Sequence, residues 1–201
     1  MAAASAALYQ TAIDTFGDLL AQASAAGDPE PTAMTLATMR DGRPHARIVL
    51  LKGADLHGFR FYTNYTSAKG ADLAAHPVAA LCFHWKTLRE GVQVRVEGVV
   101  EQLSAAESDA YFATRPRGSQ LGAWASLQSQ TLPDHASFEA RYAAAERRYA
   151  GGAVPRPPHW GGYLVVPDRI EFWYGAQYRL HERQVYAREA AGHWTCGQLY
   201  P

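Results

Sequence analysis

Hydrophobic and polar positions recur with two different periods along this chain, and the switches between them mark its elements. Residues 5–26 are alanine-rich and carry Leu8, Ile13, Phe16, Leu19 and Leu20 at helical spacing, which predicts an amphipathic helix. Gly27-Asp28-Pro29-Glu30-Pro31 ends it. Residues 33–39 then read as a strand, Asp41-Gly42 as a hairpin turn, and residues 46–52 as the returning strand. A turn near 55–58 leads to a third strand at 59–63, so the three predict an antiparallel meander. Thr66-Ser67 can cap a helix reaching about Ala75, and residues 77–85 form an apolar strand. Next, Val92, Val94 and Val96 alternate with Gln93, Arg95 and Glu97, the pattern of a strand with one buried face. Ser104 with Glu107 is a capping box. Its helix runs to Arg115 and is broken by Pro116. Further helices are predicted over residues 116–128 and 138–149, followed by a Gly/Pro-rich linker at 151–158. Four short strands close the chain, at 160–166, 169–174, 184–188 and 194–199. Nine or ten strands with helices between them, and no βαβ alternation, predict an α+β, β-rich class: a mostly antiparallel barrel with peripheral helices. Residues 1–30 read as an N-terminal helix and linker, and residues 31–201 as a single domain.

Composition narrows the function classes. The 201 residues are 48% hydrophobic and 19% charged, a globular balance with a full core. Lys plus Arg and Asp plus Glu number 19 each, so net charge gives no support for a nucleic-acid or membrane-surface partner. Arginine clusters must then be read as local sites. Cys82 and Cys196 are the only cysteines and read as free thiols, and no His/Cys set has metal-ligand spacing. The first basic residue is Arg40, and no apolar run approaches 18 residues. No signal peptide, transit peptide or transmembrane helix is therefore expected, which predicts a cytoplasmic protein.

The basic and hydroxyl side chains gather in four places. If residues 178–183 are extended, Arg179, His181 and Arg183 share one strand face, which is costly to bury without polar or anionic partners. Otherwise they form a solvated strand edge. Arg47 and Lys52, five apart, fall on opposite faces of a flat strand; they serve one site only if the strand twists, bulges or ends before Lys52. Ser67 and Lys69 lie at a helix start, where free N–H groups favour an anion, although an N-cap beside an exposed lysine has the same appearance. Tyr111 and Arg115 are one helical turn apart, and Ser119 falls in the first turn of the next helix, with Arg117 between. Hydroxyls and a guanidinium converging at a helix N-terminus suit a phosphate monoester. Gln128 and Ser129 add neutral donors at that helix's far end. There is no phosphate-binding loop, GxGxxG fingerprint, serine elbow or paired-carboxylate signature. Several anion-capable clusters without a nucleophile point to chemistry carried by a bound phosphorylated cofactor.

These stretches, in order, carry a resemblance. Arg47-Ile-Val-Leu-Leu-Lys52, Tyr62-Thr63, Tyr111-Phe-Ala-Thr-Arg-Pro-Arg-Gly-Ser119-Gln-Leu-Gly-Ala-Trp124, Trp160-Gly-Gly, Ile170-Glu-Phe-Trp173 and Arg179-Leu-His-Glu-Arg183 closely resemble the pyridoxine/pyridoxamine 5′-phosphate oxidases. The match runs from about Pro31 to the C-terminus. It implies an FMN-binding antiparallel split β-barrel with peripheral helices. It also implies a homodimer with FMN at the subunit interface, and oxidation of pyridoxine or pyridoxamine 5′-phosphate to pyridoxal 5′-phosphate by O2 with release of H2O2. By position, the family's FMN contacts fall on Arg47, Ile48, Val49, Leu50, Tyr62, Thr63, Lys69, Gln93, Gln128, Ser129, Trp173 and Arg183. Its substrate-phosphate contacts fall on Lys52, Tyr111, Arg115 and Ser119, and its substrate-ring contacts, the catalytic pair, on Arg179 and His181. Ala68 stands where the family usually has a second basic residue, and Gln198 where its C-terminal arginine is typical. A related flavin oxidase of the phenazine type, or a split-barrel protein that binds FMN or pyridoxal phosphate without turnover, are the competing readings.

Overall fold

The computed structural model describes residues 2–201. It contains five α-helices, α1 (Ala2–Ala25), α2 (Ala68–Ala75), α3 (Ala105–Thr114), α4 (Arg117–Ala125) and α5 (His135–Arg148). Nine strands complete it: β1 (Ala33–Arg40), β2 (Arg43–Leu50), β3 (Gly53–Asp55), β4 (Gly58–Asn64), β5 (Val78–Trp85), β6 (Val92–Gln102), β7 (Trp160–Tyr174), β8 (Glu182–Arg188) and β9 (Trp194–Leu199). All nine join one sheet in the order β2-β1-β5-β6-β7-β4-β3, with β8 pairing β7 and β9 pairing β8. The pairings β1–β2, β1–β5, β3–β4, β5–β6, β7–β8 and β8–β9 are antiparallel. The α+β, β-rich class expected from the sequence is the class observed.

The chain divides into two compact units. The first comprises residues 1–61, 76–101 and 164–201. Its core is aromatic: Phe16 of α1 meets Phe59 and Phe83 edge-on, both at 4.9 Å between centroids, and Trp85 lies beside it. Burying these four rings removes a large apolar area from water. It also explains the α1 pattern, because Ala12, Ile13, Phe16, Leu19 and Ala23 are the buried positions of that helix. Along β6 the valines at 92, 94 and 96 are buried and Gln93, Arg95 and Glu97 are not, as the alternation requires.

The second unit comprises residues 62–75 and 102–163. Phe112, Leu121, Ala145, Val154 and Trp160 form its core, with Tyr62, Tyr111 and Tyr149 packed against them. The capping box predicted at Ser104 is present: Ser104 Oγ accepts from the Glu107 N–H at 3.2 Å, and the Ser104 N–H donates to the Glu107 carboxylate at 3.0 Å.

Three expectations are corrected. The strands at 33–39, 46–52 and 59–63 do not form a meander, because β4 sits between β7 and β3, away from β1 and β2. Residues 53–55 add a short strand that pairs β4 instead. The predicted break between 166 and 169 does not exist; β7 runs unbroken through Pro167. Gly98 of the neighbouring β6 is the physical reason, since a Cβ there would meet the Val166 carbonyl and, at 2.9 Å, Pro167 Cα. Finally, residues 178–183 are not a continuous strand, because β8 begins only at Glu182, after a tight turn.

Candidate functional site

In the second unit β4, α2 and the loop after α4 bring four sequence-predicted residues, Thr63, Ser67, Lys69 and Gln128, together. Thr63 and Lys69 are buried, Lys69 with 8% of its surface exposed. Lys69 Nζ donates to Thr63 Oγ1 at 3.2 Å, to Gln128 Oε1 at 3.0 Å and to Ser67 Oγ at 3.4 Å. Thr63 Oγ1 in turn donates to Gln128 Oε1 at 3.0 Å. Ser67 Oγ accepts from the Gly70 N–H at 3.3 Å, so it caps the first turn of α2. Ser129, next to Gln128, holds a left-handed φ of 73°, which a non-glycine residue adopts at a cost of about 1–3 kcal/mol. A buried ammonium, a hydroxyl and a helix N-terminus form a donor set whose chemistry fits a phosphate.

The same unit holds a second cluster. Tyr111 lies flat on Tyr62, with centroids 3.9 Å apart and 14° between planes, and Trp160 is parallel to both. Gly162 makes room for this, because a Cβ there would stand 2.7 Å from Tyr62 Cε1. Arg115 ends α3 rather than continuing it, with φ −72° and ψ 147°, as the following proline dictates. Its guanidinium lies 4.6 Å above the Trp160 ring and 5.5 Å from Phe112. Arg115 Nη1 is buried and has no hydrogen-bond partner. Burial lowers the Arg115 pKa, partly offset by Tyr111, and burial raises the Tyr111 phenol, partly offset by Arg115. Tyr111 therefore keeps its proton as a donor at neutral pH. Ser119 is exposed in the first turn of α4, its N–H bonded to the Pro116 carbonyl at 2.9 Å. An orphaned guanidinium N–H beside a phenol and a helix N-terminus is an incomplete anion receptor.

In the first unit, Arg47 of β2 donates through Nη1 to Thr38 Oγ1 at 2.7 Å and to the Leu36 carbonyl at 3.1 Å. β2 ends at Leu50, so Lys52 lies beyond the strand, exposed, with its N–H on the Arg60 carbonyl at 2.8 Å. Ile48 is 63% exposed, while Val49 and Leu50 are half-buried. Gln93 is half-buried on β6 opposite His84.

The loop between β7 and β8 overturns the shared face expected for Arg179, His181 and Arg183. Residues 177–180 form a tight turn closed by the Leu180 N–H on the Gln177 carbonyl at 3.1 Å, with Tyr178 at φ 56° and Arg179 at φ 65°. The last β7–β8 pair is Tyr174 with Glu182, so the chain must reverse within the intervening loop, and two left-handed residues accomplish that. Arg179 is exposed on the turn. His181 instead packs its ring on Trp173, 4.6 Å between centroids. Its Nδ1 accepts from the Ala176 N–H at 3.1 Å, which leaves the proton of a neutral ring on Nε2. Gly175 anchors the loop: its N–H donates to the Gly91 carbonyl at 2.8 Å, and a Cβ there would strike the Glu90 carbonyl.

Arg183, opposite Trp173 in the ladder, is held by a residue the sequence reading missed. The Glu171 side chain is 3% exposed, and its Oε1 accepts from Arg183 Nε at 2.9 Å and Nη2 at 2.7 Å. Its Oε2 accepts from Arg169 at 3.3 Å and Arg95 at 3.5 Å. Burial alone would raise the Glu171 carboxyl, but the three guanidiniums outweigh it and hold it below its ordinary range. The alternating polar positions Arg95 and Glu97 on β6, and Arg169 and Glu171 on β7, were the available signal. No group of three or more potential metal ligands occurs among the described residues. No helix among them is long and apolar enough to cross a membrane.

Comparison with known proteins adds the following. The family model described as pyridoxamine 5′-phosphate oxidase matches residues 20–149. The one described as the pyridoxine 5′-phosphate oxidase C-terminal dimerisation region matches residues 160–201. A pyridoxine/pyridoxamine 5′-phosphate oxidase of Xanthomonas euvesicatoria is 57% identical over 196 residues, covering 96% of this chain and 98% of the relative. Among solved structures, PhzG from Burkholderia lata, in complex with tetrahydrophenazine-1-carboxylic acid, superposes with a TM-score of 0.88 at 33% identity, covering 94% of this chain and 92% of the other. A pyridoxamine 5′-phosphate oxidase-related, FMN-binding protein of Nostoc punctiforme shares the fold with a TM-score of 0.72 at 18% identity, covering 92% and 96%.

Proposed function

This chain belongs to the pyridoxine/pyridoxamine 5′-phosphate oxidase family and is an enzyme of that family, and from this premise we propose that it oxidises pyridoxine or pyridoxamine 5′-phosphate to pyridoxal 5′-phosphate with FMN as its cofactor. FMN, when bound, supplies the two-electron acceptor, and O2 the terminal oxidant, so that one H2O2 leaves per turnover, with water consumed and ammonia released when the substrate is the amine.

The observation that carries the reading is Arg115. A guanidinium with a buried N–H lacking any acceptor, beside the Tyr111 phenol, calls for an anionic ligand group. We assign the substrate phosphate to Lys52, Tyr111, Arg115 and Ser119. Contacts made equally in ground and transition states lower KM and set specificity for a phosphorylated substrate. FMN is assigned to Arg47, Ile48, Val49, Leu50, Tyr62, Thr63, Lys69, Gln93, Gln128, Ser129, Trp173 and Arg183. Lys69, with the α2 N-terminus and Thr63, has the donor chemistry for the cofactor's phosphate. Arg179 and His181 are assigned to the substrate ring. The Ala176 N–H fixes the His181 ring through Nδ1, so its Nε2–H is the donor it can offer a substrate oxygen or nitrogen. No side chain here is proposed as a nucleophile; the residues bind, orient and hold protons.

The chain is further proposed to act as a homodimer, which the match of residues 160–201 to a dimerisation region supports. Light scattering on the holoenzyme tests this, and a monomer that binds FMN tightly would refute it. The activity itself is tested by incubating FMN-loaded protein with pyridoxine 5′-phosphate under air. Formation of pyridoxal 5′-phosphate and H2O2 is expected. Bound FMN with no turnover of either B6 phosphate would favour the phenazine-type or purely binding readings.

A further inference from the structure

We propose that Trp160 is the positioning residue of the phosphate receptor: its indole face holds the Arg115 guanidinium flat, so that the in-plane N–H groups stay available to a phosphate ester. The inference rests on the assignment of Arg115 to the substrate phosphate made above.

A guanidinium can be fixed in two ways. A carboxylate partner fixes it through its N–H groups and uses those donors up, as Glu171 does with Arg183. An aromatic face fixes it through the π-cloud and leaves the N–H edge untouched. Arg115 is held in the second way. Its central carbon stands 4.6 Å above the Trp160 ring. Its backbone N–H is bonded to the Phe112 carbonyl at 3.2 Å, yet its buried Nη1 has no acceptor. A buried donor left unsatisfied is costly, and it is tolerated where a ligand completes it.

Trp160 is itself fixed on several sides. It is 7% exposed, meets Phe112 edge-on at 5.1 Å, and lies parallel to Tyr62 and Tyr111 within 11° and 4°. Its carbonyl accepts from Arg156 Nη1 at 2.6 Å, and Arg156 Nε is bonded to Asp109 at 2.6 Å. The indole plane is thus set by the core of this unit and not by the arginine it carries. Tyr111, another assigned phosphate donor, belongs to the same set of parallel rings, so one platform orients both groups.

The test is a double-mutant cycle on the FMN-loaded enzyme with Trp160→Leu, Arg115→Ala and the pair. It reads KM for pyridoxine 5′-phosphate and the inhibition constant of inorganic phosphate. Trp160→Leu should raise both constants roughly 2- to 30-fold, the range of a cation–π contact that is partly to fully desolvated. In the Arg115→Ala background it should add far less, because the guanidinium it positions is gone and Tyr111 still lies on Tyr62 at 3.9 Å. Trp160→Phe keeps a ring in the core, should give a smaller rise, and carries the same cycle if the leucine variant does not fold. Additive effects of the two substitutions would overturn the inference and leave Trp160 as core packing. If Arg115→Ala weakens phosphate binding and neither Trp160 variant does, only the role of Trp160 falls. If Arg115→Ala leaves both constants unchanged, the phosphate receptor itself is misassigned and both readings fall.

Discussion

Replacing Glu171 with glutamine probes how the first unit tolerates buried charge. The substitution keeps the shape of the side chain and removes its charge. Oε1 serves Arg183 twice, at 2.9 and 2.7 Å, and Oε2 serves Arg169 and Arg95 at 3.3 and 3.5 Å. A glutamine oxygen can still accept from Arg183, but its NH2 would then face two arginine donors. Removing one partner of a fully buried pair costs about 3–5 kcal/mol. Here the three arginine side chains are 27%, 33% and 40% exposed, so water relieves part of the loss, and about 2–3 kcal/mol is expected. For a chain of this length that is a fall in Tm of roughly 4–12 °C at pH 7. The pH dependence has a definite sign. The folded carboxyl titrates below its ordinary 4.5, so it contributes stability above that value and loses it as pH falls through the depressed pKa. The gap between wild type and Glu171→Gln should therefore be full at pH 7 and narrow below pH 4.5. Thermal unfolding followed by circular dichroism across that range measures it. A variant within about a degree of wild type at pH 7, or a gap that stays constant into acid, would refute the reasoning.

Three other substitutions separate binding from chemistry. Arg115→Ala should raise KM for pyridoxine 5′-phosphate about ten- to over a hundredfold, the worth of one charged hydrogen bond, with a smaller effect on kcat; steady-state kinetics with an unchanged KM would make Arg115 a structural helix-end residue. His181→Ala or Arg179→Met should leave FMN content nearly unchanged and lower turnover roughly ten- to a thousandfold; a double variant as fast as wild type would remove both from the site.

What could be read from the sequence was local, and what could not depended on the partner across the sheet. The β6 valines and the Ser104–Glu107 capping box were legible because period and cap chemistry lie within a few residues. The grouping of Thr63, Lys69 and Gln128 came from the resemblance alone, since local spacing put Lys69 beside Ser67 and Gln128 with the Tyr111–Ser119 cluster. Strands ending at 166 and restarting at 169 are what the local pattern predicts, because the residue that lets β7 continue, Gly98, is about 70 positions earlier. The shared face of Arg179, His181 and Arg183 failed for a different reason. Tyr178 and Arg179 both adopt left-handed backbone, which composition gives no cause to expect of those residue types. Glu171 was legible only as the second residue of the motif Ile170-Glu-Phe-Trp173. Its role emerges once Arg95, Arg169 and Arg183 are brought around it by three different strands.

The central claim is that this chain couples bound FMN to oxidation of a B6 phosphate. The most direct measurement is the visible spectrum of the purified, FMN-loaded protein mixed with pyridoxine 5′-phosphate without O2, then after admitting air. The visible flavin band should bleach on mixing and return with O2, as pyridoxal 5′-phosphate and H2O2 accumulate in equal amounts. A protein that takes up no FMN, or whose flavin band is unmoved by either B6 phosphate, would contradict the account.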